Sequence, residues 1–328
     1  MFRWLRTGNP STFIYLLLYT LVVKFFYLTH PVAALLSPAS DGLLYGPLVR
    51  FLRQQVGLGP LGFTVLSLFV ILLLAVMLNF QVNKFRLLPG ASYYPAFCFI
   101  VFSSFFSFWN VFSAPLVAAV PLLLVLRELL GLFDHPSGRT AAFNMGLFVG
   151  LAGLFYMPAL ALLLLIWFAL LTARPFRLAE WILAVVGVLC PFYFAATVLF
   201  LTDNLALFAA QPLPGISIPE TAYSYWIIGA TAGLLVYFLY GSLRLQQEYS
   251  KMLIHIRKAW VLVLAFVIIS LALPFLPDVF DLDGWLVAFL PMSLIIACGF
   301  WHVRKKGFAL LLHLLALAFV LYLQWRPH

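Results

Sequence analysis

The feature that most constrains this chain is a succession of long apolar runs separated by short polar connections. Each run is close to the ~20 residues that an α-helix needs to cross a bilayer. With 65% hydrophobic and 9% charged residues, the chain lacks the polar side chains that cover a water-soluble globule. The sequence predicts an all-α, polytopic membrane helix bundle that forms a single integral-membrane domain over residues 1–328. The predicted spans are 12–29, 60–79, 93–109, 111–127, 141–155, 158–173, 181–201, 223–243, 258–276, 285–303 and 307–325.

The number of spans, ten or eleven, depends on the apolar run 141–171. As one helix this run would be about 46 Å long. A hydrocarbon core of ~30 Å does not accommodate that length even with strong tilt. Pro158 lies at the middle of the run. We therefore predict two short spans joined by a turn near Pro158, which gives eleven spans.

The distribution of basic residues favours eleven spans, because it makes one side of the membrane strongly positive. A single crossing by 141–171 would reverse every later loop and remove this bias. The sequence therefore predicts a bacterial inner-membrane protein with a cytoplasmic N-terminus and a periplasmic C-terminus. The asymmetry also explains the net charge of +9, so the predicted partner is the lipid bilayer and not nucleic acid. The basic residues on the predicted cytoplasmic side are Arg3, Arg6, Lys84, Arg86, Arg127, Arg139, Arg174, Arg177, Arg244, Lys251, Arg257, Lys258, Arg304, Lys305 and Lys306.

The longest predicted outer connection, 30–59, contains a short amphipathic pattern that begins behind Pro47. The pattern predicts an interfacial helix whose apolar face contacts acyl chains and whose arginines face headgroups or water. The alternative is a loop that rests on the bilayer. The apolar face consists of Tyr45, Leu48, Val49, Leu52 and Val56, and the polar face of Arg50, Arg53 and Gln54.

Asp41 stands just before this helix and has two interpretations. Asp-Gly is a common turn pair and aspartate can cap a helix, so its role can be structural. Alternatively, Asp41 is a general base at the outer surface that activates an acceptor hydroxyl. Basic side chains on the same side would then bind a lipid-linked phosphate, although Lys24 can instead snorkel to the interface. These candidate phosphate ligands are Lys24, His30, Arg50 and Arg53.

A second acidic group, Asp278, Asp281 and Asp283, precedes the tenth predicted span. Three carboxylates on a short loop are weak candidates for a divalent metal site. The alternative is that Asp283 caps the helix beginning near Trp285 while the others are solvated. Nothing else in the sequence suggests a cofactor. No carboxylate lies in the middle of a predicted span, which argues against an ion-coupled transporter.

Several short segments are similar to those of known membrane proteins. Asn79–Leu87, Phe143–Gly146 and Arg174–Trp181, followed by Cys190-Pro191, resemble a family of multi-span inner-membrane proteins from Bacteroidota. This resemblance implies a polytopic fold and brings no activity with it. The layout is also similar to the membrane half of the C-type glycosyltransferases. That similarity implies a catalytic acid in the first outer loop and a polyprenyl-phosphate-linked donor, with Asp41 in the matching position.

The sequence leaves three classes of function open. One is a transferase acting on a lipid-linked sugar at the outer face, which needs an outer cavity at Asp41. Another is a non-catalytic scaffold of an envelope assembly, with other envelope membrane proteins as partners. The last is a carrier of an apolar or lipid substrate, which needs a cavity near the bilayer midplane and broken helices.

Overall fold

The computed structural model describes residues 5, 11–133, 138–209, 211, 215–218, 225–303 and 306–324. Every regular element in these ranges is helical, which confirms the all-α prediction for the described chain. Short 3₁₀ segments lie at 108–110, 157–162, 273–275 and 282–284. The helices are α1 (Ser11–Val23), α2 (Phe25–Thr29), α3 (Tyr45–Gln54), α4 (Pro60–Lys84), α5 (Tyr94–Ser103), α6 (Ala114–Gly131), α7 (Arg139–Phe155), α8 (Leu163–Ala173), α9 (Leu178–Leu201), α10 (Ala206–Ala209), α11 (Tyr225–Tyr249), α12 (Ile254–Leu271), α13 (Trp285–Trp301) and α14 (Lys306–Gln324).

Seven helical segments in the described chain are long and apolar enough to cross a membrane, and four shorter ones are also apolar. The seven are compatible with a membrane protein by length and composition. Each of the eleven coincides with one of the spans predicted from the sequence. The shorter segments are 12–23, 94–103, 139–155 and 157–173.

The long apolar run 141–171 is interrupted at the predicted position. Helix α7 ends at Phe155, Tyr156 is extended (φ −135°, ψ 101°), and a 3₁₀ turn leads into α8. Pro158 explains the break, because it has no N–H and its ring excludes a helical bond to the carbonyl of Leu154. That carbonyl instead accepts a hydrogen bond from Leu44 N at 2.8 Å.

Helices α7 and α9 pack in parallel through small residues. Gly146 lies against Ala184 and Gly150 lies against Val188, so the residue numbers rise together along both helices. A Cβ at either glycine would overlap a carbonyl oxygen of α9, so glycine is required for this close approach. Parallel packing also means that the chain returns between the two helices, which is the path taken by α8.

Residues 30–44, the strap, cross one end of the bundle, which we name the strap end. The strap is tied to helix ends that are distant in sequence. Val32 N donates to Thr64 Oγ1 at 3.2 Å, and Leu35 N donates to the Phe112 carbonyl at 2.9 Å. Beyond these contacts, Gly42 N donates to the Phe155 carbonyl at 2.8 Å. The strap therefore brings the connections of the bundle together at this end.

Candidate acid–base site at the strap end

Three aspartates from two distant segments meet beside a buried tyrosine at the strap end. We name Asp41, Asp281, Asp283 and Tyr156 the acidic cluster. Asp41 and Tyr156 are paired through their main chains in an isolated antiparallel bridge. Ser40 Oγ donates to Asp281 Oδ2 at 2.8 Å, which joins the strap to the connection between α12 and α13. From the sequence, Asp41 and Asp281 are separate candidates, and nothing in it predicts that they lie together.

Local hydrogen bonds hold two of these carboxylates in place. Ser37 N donates to Asp41 Oδ2 at 2.8 Å, which closes the turn at the middle of the strap. Asp41 therefore has the predicted turn role but does not cap α3, which begins after Leu44 without a side-chain cap. Asp283 N donates to Asp281 Oδ1 at 3.0 Å. The prediction that Asp283 caps the helix at Trp285 is wrong, because Asp281 caps the preceding 3₁₀ turn instead.

The surroundings raise the pKa of all three carboxyl groups above the ordinary 3.8. The pKa of Asp41 rises to about 7, because burial outweighs the hydrogen bond from Ser37 and the charge of Asp281 adds to the rise. The pKa of Asp283 rises to about 8 through burial and the charges of Asp281 and Asp41. Burial raises the pKa of Asp281 against two hydrogen bonds. At neutral pH the cluster therefore holds protons as well as negative charge.

Tyr156 completes the cluster as a buried hydroxyl. Its side chain is fully buried, and its Oη makes no hydrogen bond with the described residues. Burial, together with the charges of the three aspartates, raises the pKa of this phenol well above its ordinary value of 10. The Oη occupies the space that a Cβ on Gly284 would need, directly after Asp283. A buried hydroxyl without a protein partner is costly and is ordinarily satisfied by an ordered water or a bound ligand.

The tight fit of the strap explains why Gly42 follows Asp41. A Cβ at Gly42 would overlap the main chain of Gly153 and Leu154 at the end of α7. No side chain fits at this position, and the other carboxylates of the cluster come from the α12–α13 connection.

Lys24 lies in a separate polar network, at the break between α1 and α2. Its side chain is fully buried, and its ammonium donates to Ser103 Oγ at 2.8 Å and to Asn110 Oδ1. The Tyr27 ring centroid lies 5.9 Å from Lys24 Nζ. Asn110 Nδ2 also donates to the carbonyls of Ser103, at 3.0 Å, and Phe106, at 2.8 Å. The snorkelling interpretation is wrong, because the ammonium is buried among these groups.

The other predicted phosphate ligands are exposed. Helix α3 begins at Tyr45 and carries Arg50 and Arg53 on its exposed face. Its opposite face packs on the protein, since Tyr45 and Val49 are buried. The expected contact of that whole face with acyl chains is therefore wrong. His30 is exposed at the end of α2, where its ring stacks on Phe26 at a centroid distance of 4.3 Å.

The remaining candidates do not join the acidic cluster. Asp278 is exposed and lies against Gly215. No three histidine, cysteine or acidic side chains of the described chain are arranged to hold a metal ion. His313 is buried, with its ring centroid 5.0 Å from that of Phe97.

Comparisons of the chain with models of protein families, with curated proteins and with solved structures found no match. The two resemblances drawn from the sequence therefore stay predictions.

Proposed function

We propose that this protein is a group transferase of the bacterial inner membrane, with its acidic cluster facing outward and Asp41 as the general base. One observation carries the proposal: three carboxylates lie around a buried hydroxyl, and the described residues provide neither a hydrogen-bond partner for that hydroxyl nor an ion-pair partner for the carboxylates. None of the three aspartates forms an ion pair within the described residues. Such an arrangement destabilises the fold, and grouped carboxyls with displaced pKa values are typical of acid–base sites.

The roles of the residues follow from their positions and protonation. Asp41 is half-buried, and its pKa near 7 suits a base that works at neutral pH. It takes the proton of the acceptor hydroxyl as the acceptor oxygen bonds to the transferred group. The bond between that group and the lipid phosphate breaks, and the phosphate leaves as an anion. Asp283 and Tyr156 lie beside Asp41 in the acidic cluster and bind the acceptor through hydrogen bonds.

The phosphate of a polyprenyl-linked donor would bind at the exposed arginines of α3. Arg50 and Arg53 point away from the protein on a helix that adjoins the strap, and guanidinium groups bind phosphate in a bidentate manner. His30 remains a further exposed candidate. The proposal does not use Lys24, because its ammonium is buried with Ser103 and Asn110.

The contacts between connections support the proposed eleven crossings with a cytoplasmic N-terminus. Connections predicted to share the outer side lie together: Asp41 pairs with Tyr156, and Ser40 binds Asp281. Connections predicted to share the inner side also meet, as in the contact of Gly90 with Trp301. An eleven-span protein needs this arrangement, and a ten-span protein would separate these pairs across the membrane.

The experiment compares Asp41→Asn with Asp203→Asn in a strain that lacks the chromosomal gene. In Asp41→Asn the side-chain amide oxygen can still accept the hydrogen bond from Ser37, so folding is retained, whereas proton transfer is lost. Asp203 is an exposed aspartate with φ of 55°, a conformation that asparagine tolerates well, and it serves as the matched control. We expect Asp41→Asn to lower activity by about 10²–10⁴-fold and abolish complementation, and Asp203→Asn to complement fully. Complementation by Asp41→Asn would refute the transferase and favour the scaffold.

A further inference from the structure

The acidic cluster has more negative charge than its protein surroundings balance. Asp41, Asp281 and Asp283 lie within electrostatic reach of one another and of Tyr156. The charged groups nearest in sequence, Arg50, Arg53 and Asp278, are all exposed. Tyr45, the remaining titratable group beside the cluster, bonds to the carbonyls of Leu35 and Phe112. A cation bound among the aspartates would therefore offset their repulsion and burial.

The hydrogen-bonding capacity of the cluster shows which kind of cation fits. Asp41 uses one oxygen for Ser37 N, and a carboxylate has about four lone-pair sites. The buried Oη of Tyr156 has no partner within the described chain. No three acidic, histidine or cysteine side chains of the described chain are grouped closely enough to hold a metal ion. A primary ammonium instead needs several acceptors around one nitrogen, because it has three N–H donors.

We propose that the ligand of the acidic cluster carries a primary ammonium group, held by Asp41, Asp283 and the hydroxyl of Tyr156. This inference rests on the proposed function in one respect: it takes the ligand to be the acceptor substrate. The binding of an ammonium group does not itself require a transfer step. The ammonium can belong to a lipid headgroup or to a free amine. The strap end is the predicted membrane surface, where both are accessible.

The test measures the melting temperature of the purified protein in phosphatidylcholine nanodiscs, whose quaternary headgroups have no N–H donors. Ethanolamine hydrochloride is titrated at about pH 8, where the carboxyls ionise most readily. Choline chloride and magnesium chloride at equal ionic strength are the controls. In a second arm, phosphatidylethanolamine replaces part of the lipid. Asp283→Asn and Asp41→Asn test the site, and Asp203→Asn is the matched control variant.

We expect ethanolamine, but not choline, to raise the melting temperature in a saturable manner. Asp283→Asn and Asp41→Asn should each weaken this binding about tenfold or more, and Asp203→Asn should leave it unchanged. A response only in phosphatidylethanolamine discs assigns the ammonium to the lipid headgroup. No response in either arm, an equal response in Asp283→Asn, or an equal response to magnesium overturns the inference. Ammonium binding together with full complementation by Asp41→Asn would refute the transferase alone.

Discussion

The protein buries charge in two neighbouring places and treats the two differently. In the Lys24 network, one ammonium is surrounded by acceptors from Ser103 and Asn110. In the acidic cluster, three carboxylates repel one another, and the Tyr156 hydroxyl has no partner in the described chain. The first arrangement holds the break between α1 and α2 against α5 and the 3₁₀ turn at 108–110. In the second, hydrogen bonds to Asp41 and Asp281 fix the strap but leave the like charges without an ion-pair partner in the described chain.

This difference separates a structural polar group from a functional one. A buried charge whose hydrogen bonds are satisfied is a fixed part of the packing, and removing its partner is destabilising. A group of like charges without counterions is retained at the expense of stability, which is common at acid–base sites. We therefore expect mutations in the Lys24 network to lower stability and conservative mutations in the acidic cluster to lower function.

The largest effect is expected from Asn110→Leu. This change removes one acceptor of the Lys24 ammonium and leaves it poorly paired, which costs about 3 kcal/mol. Lys24→Met removes the charge together with its hydrogen bonds and should cost less, because no unpaired charge is left buried. The double variant should regain much of the stability lost in Asn110→Leu, as measured by thermal unfolding in detergent. If Asn110→Leu and the wild type have the same melting temperature, the Lys24 network does not hold the break between α1 and α2 in place.

A smaller loss is expected from Gly42→Ala. The added Cβ overlaps the main chain at the end of α7 and pushes the strap, with Asp41, away from Tyr156, at a cost of about 1–3 kcal/mol. Gly46→Ala is the control, because nothing lies within 4 Å of a Cβ at that position in α3. There alanine should gain up to about 1 kcal/mol through helix propensity. Equal melting temperatures for the two variants would show that the strap is not packed on α7.

The acidic cluster should make stability depend on pH in a defined direction. A carboxyl group whose pKa is higher in the folded than in the unfolded protein stabilises the fold fully at a pH below its unfolded pKa, which is near 3.8. This stabilisation is lost as the pH rises through the folded pKa, which is about 7 for Asp41 and about 8 for Asp283. The wild type should therefore melt progressively lower across this window. Asp283→Asn should flatten the profile, whereas Asp278→Asn should not. The prediction is contradicted if the wild-type melting temperature rises over the same pH window and Asp283→Asn lacks this rise. In that case the ionised carboxylates stabilise the fold.

The smallest effect on stability is expected from Arg50→Ala and Arg53→Ala. Both side chains are exposed on α3, so each change should alter the free energy of unfolding by less than about 0.5 kcal/mol. Val49→Asp, on the buried face of the same helix, should be strongly destabilising. Thermal unfolding of the three variants measures the contrast. Equal losses on both faces would contradict the observed orientation of α3.

The sequence predicts more of the architecture than of the site, for a physical reason. Span length, a proline within a long apolar run and amphipathic spacing are local properties. They placed the break beside Pro158 and located α3 to within a few residues. The fate of Lys24 depends on Ser103 and Asn110, some 80 positions away. Nothing in the residues next to Lys24 distinguishes burial from snorkelling.

The acidic cluster depends on even more distant contacts. Asp41 and Asp281 were both recognised as candidates, but their proximity results from a Ser40 hydrogen bond across 241 positions. Tyr156 stands out in the sequence only as a neighbour of the predicted break. Its role becomes visible when the break places it opposite Asp41. The eleven-span prediction says which loops share one end of the bundle. This is the one sequence signal that limits which residues can lie beside Asp41.

The most direct test of the central claim, that the acidic cluster is kept for function against stability, is a paired measurement on Asp283→Asn. The melting temperature in nanodiscs at about pH 8 and complementation of the deletion strain are measured on the same variant. We predict that Asp283→Asn has an unchanged or higher melting temperature, because a repelling buried charge is removed. We also predict that this variant fails to complement the deletion strain. A lower melting temperature with complementation intact would contradict it, since the cluster would then be structural.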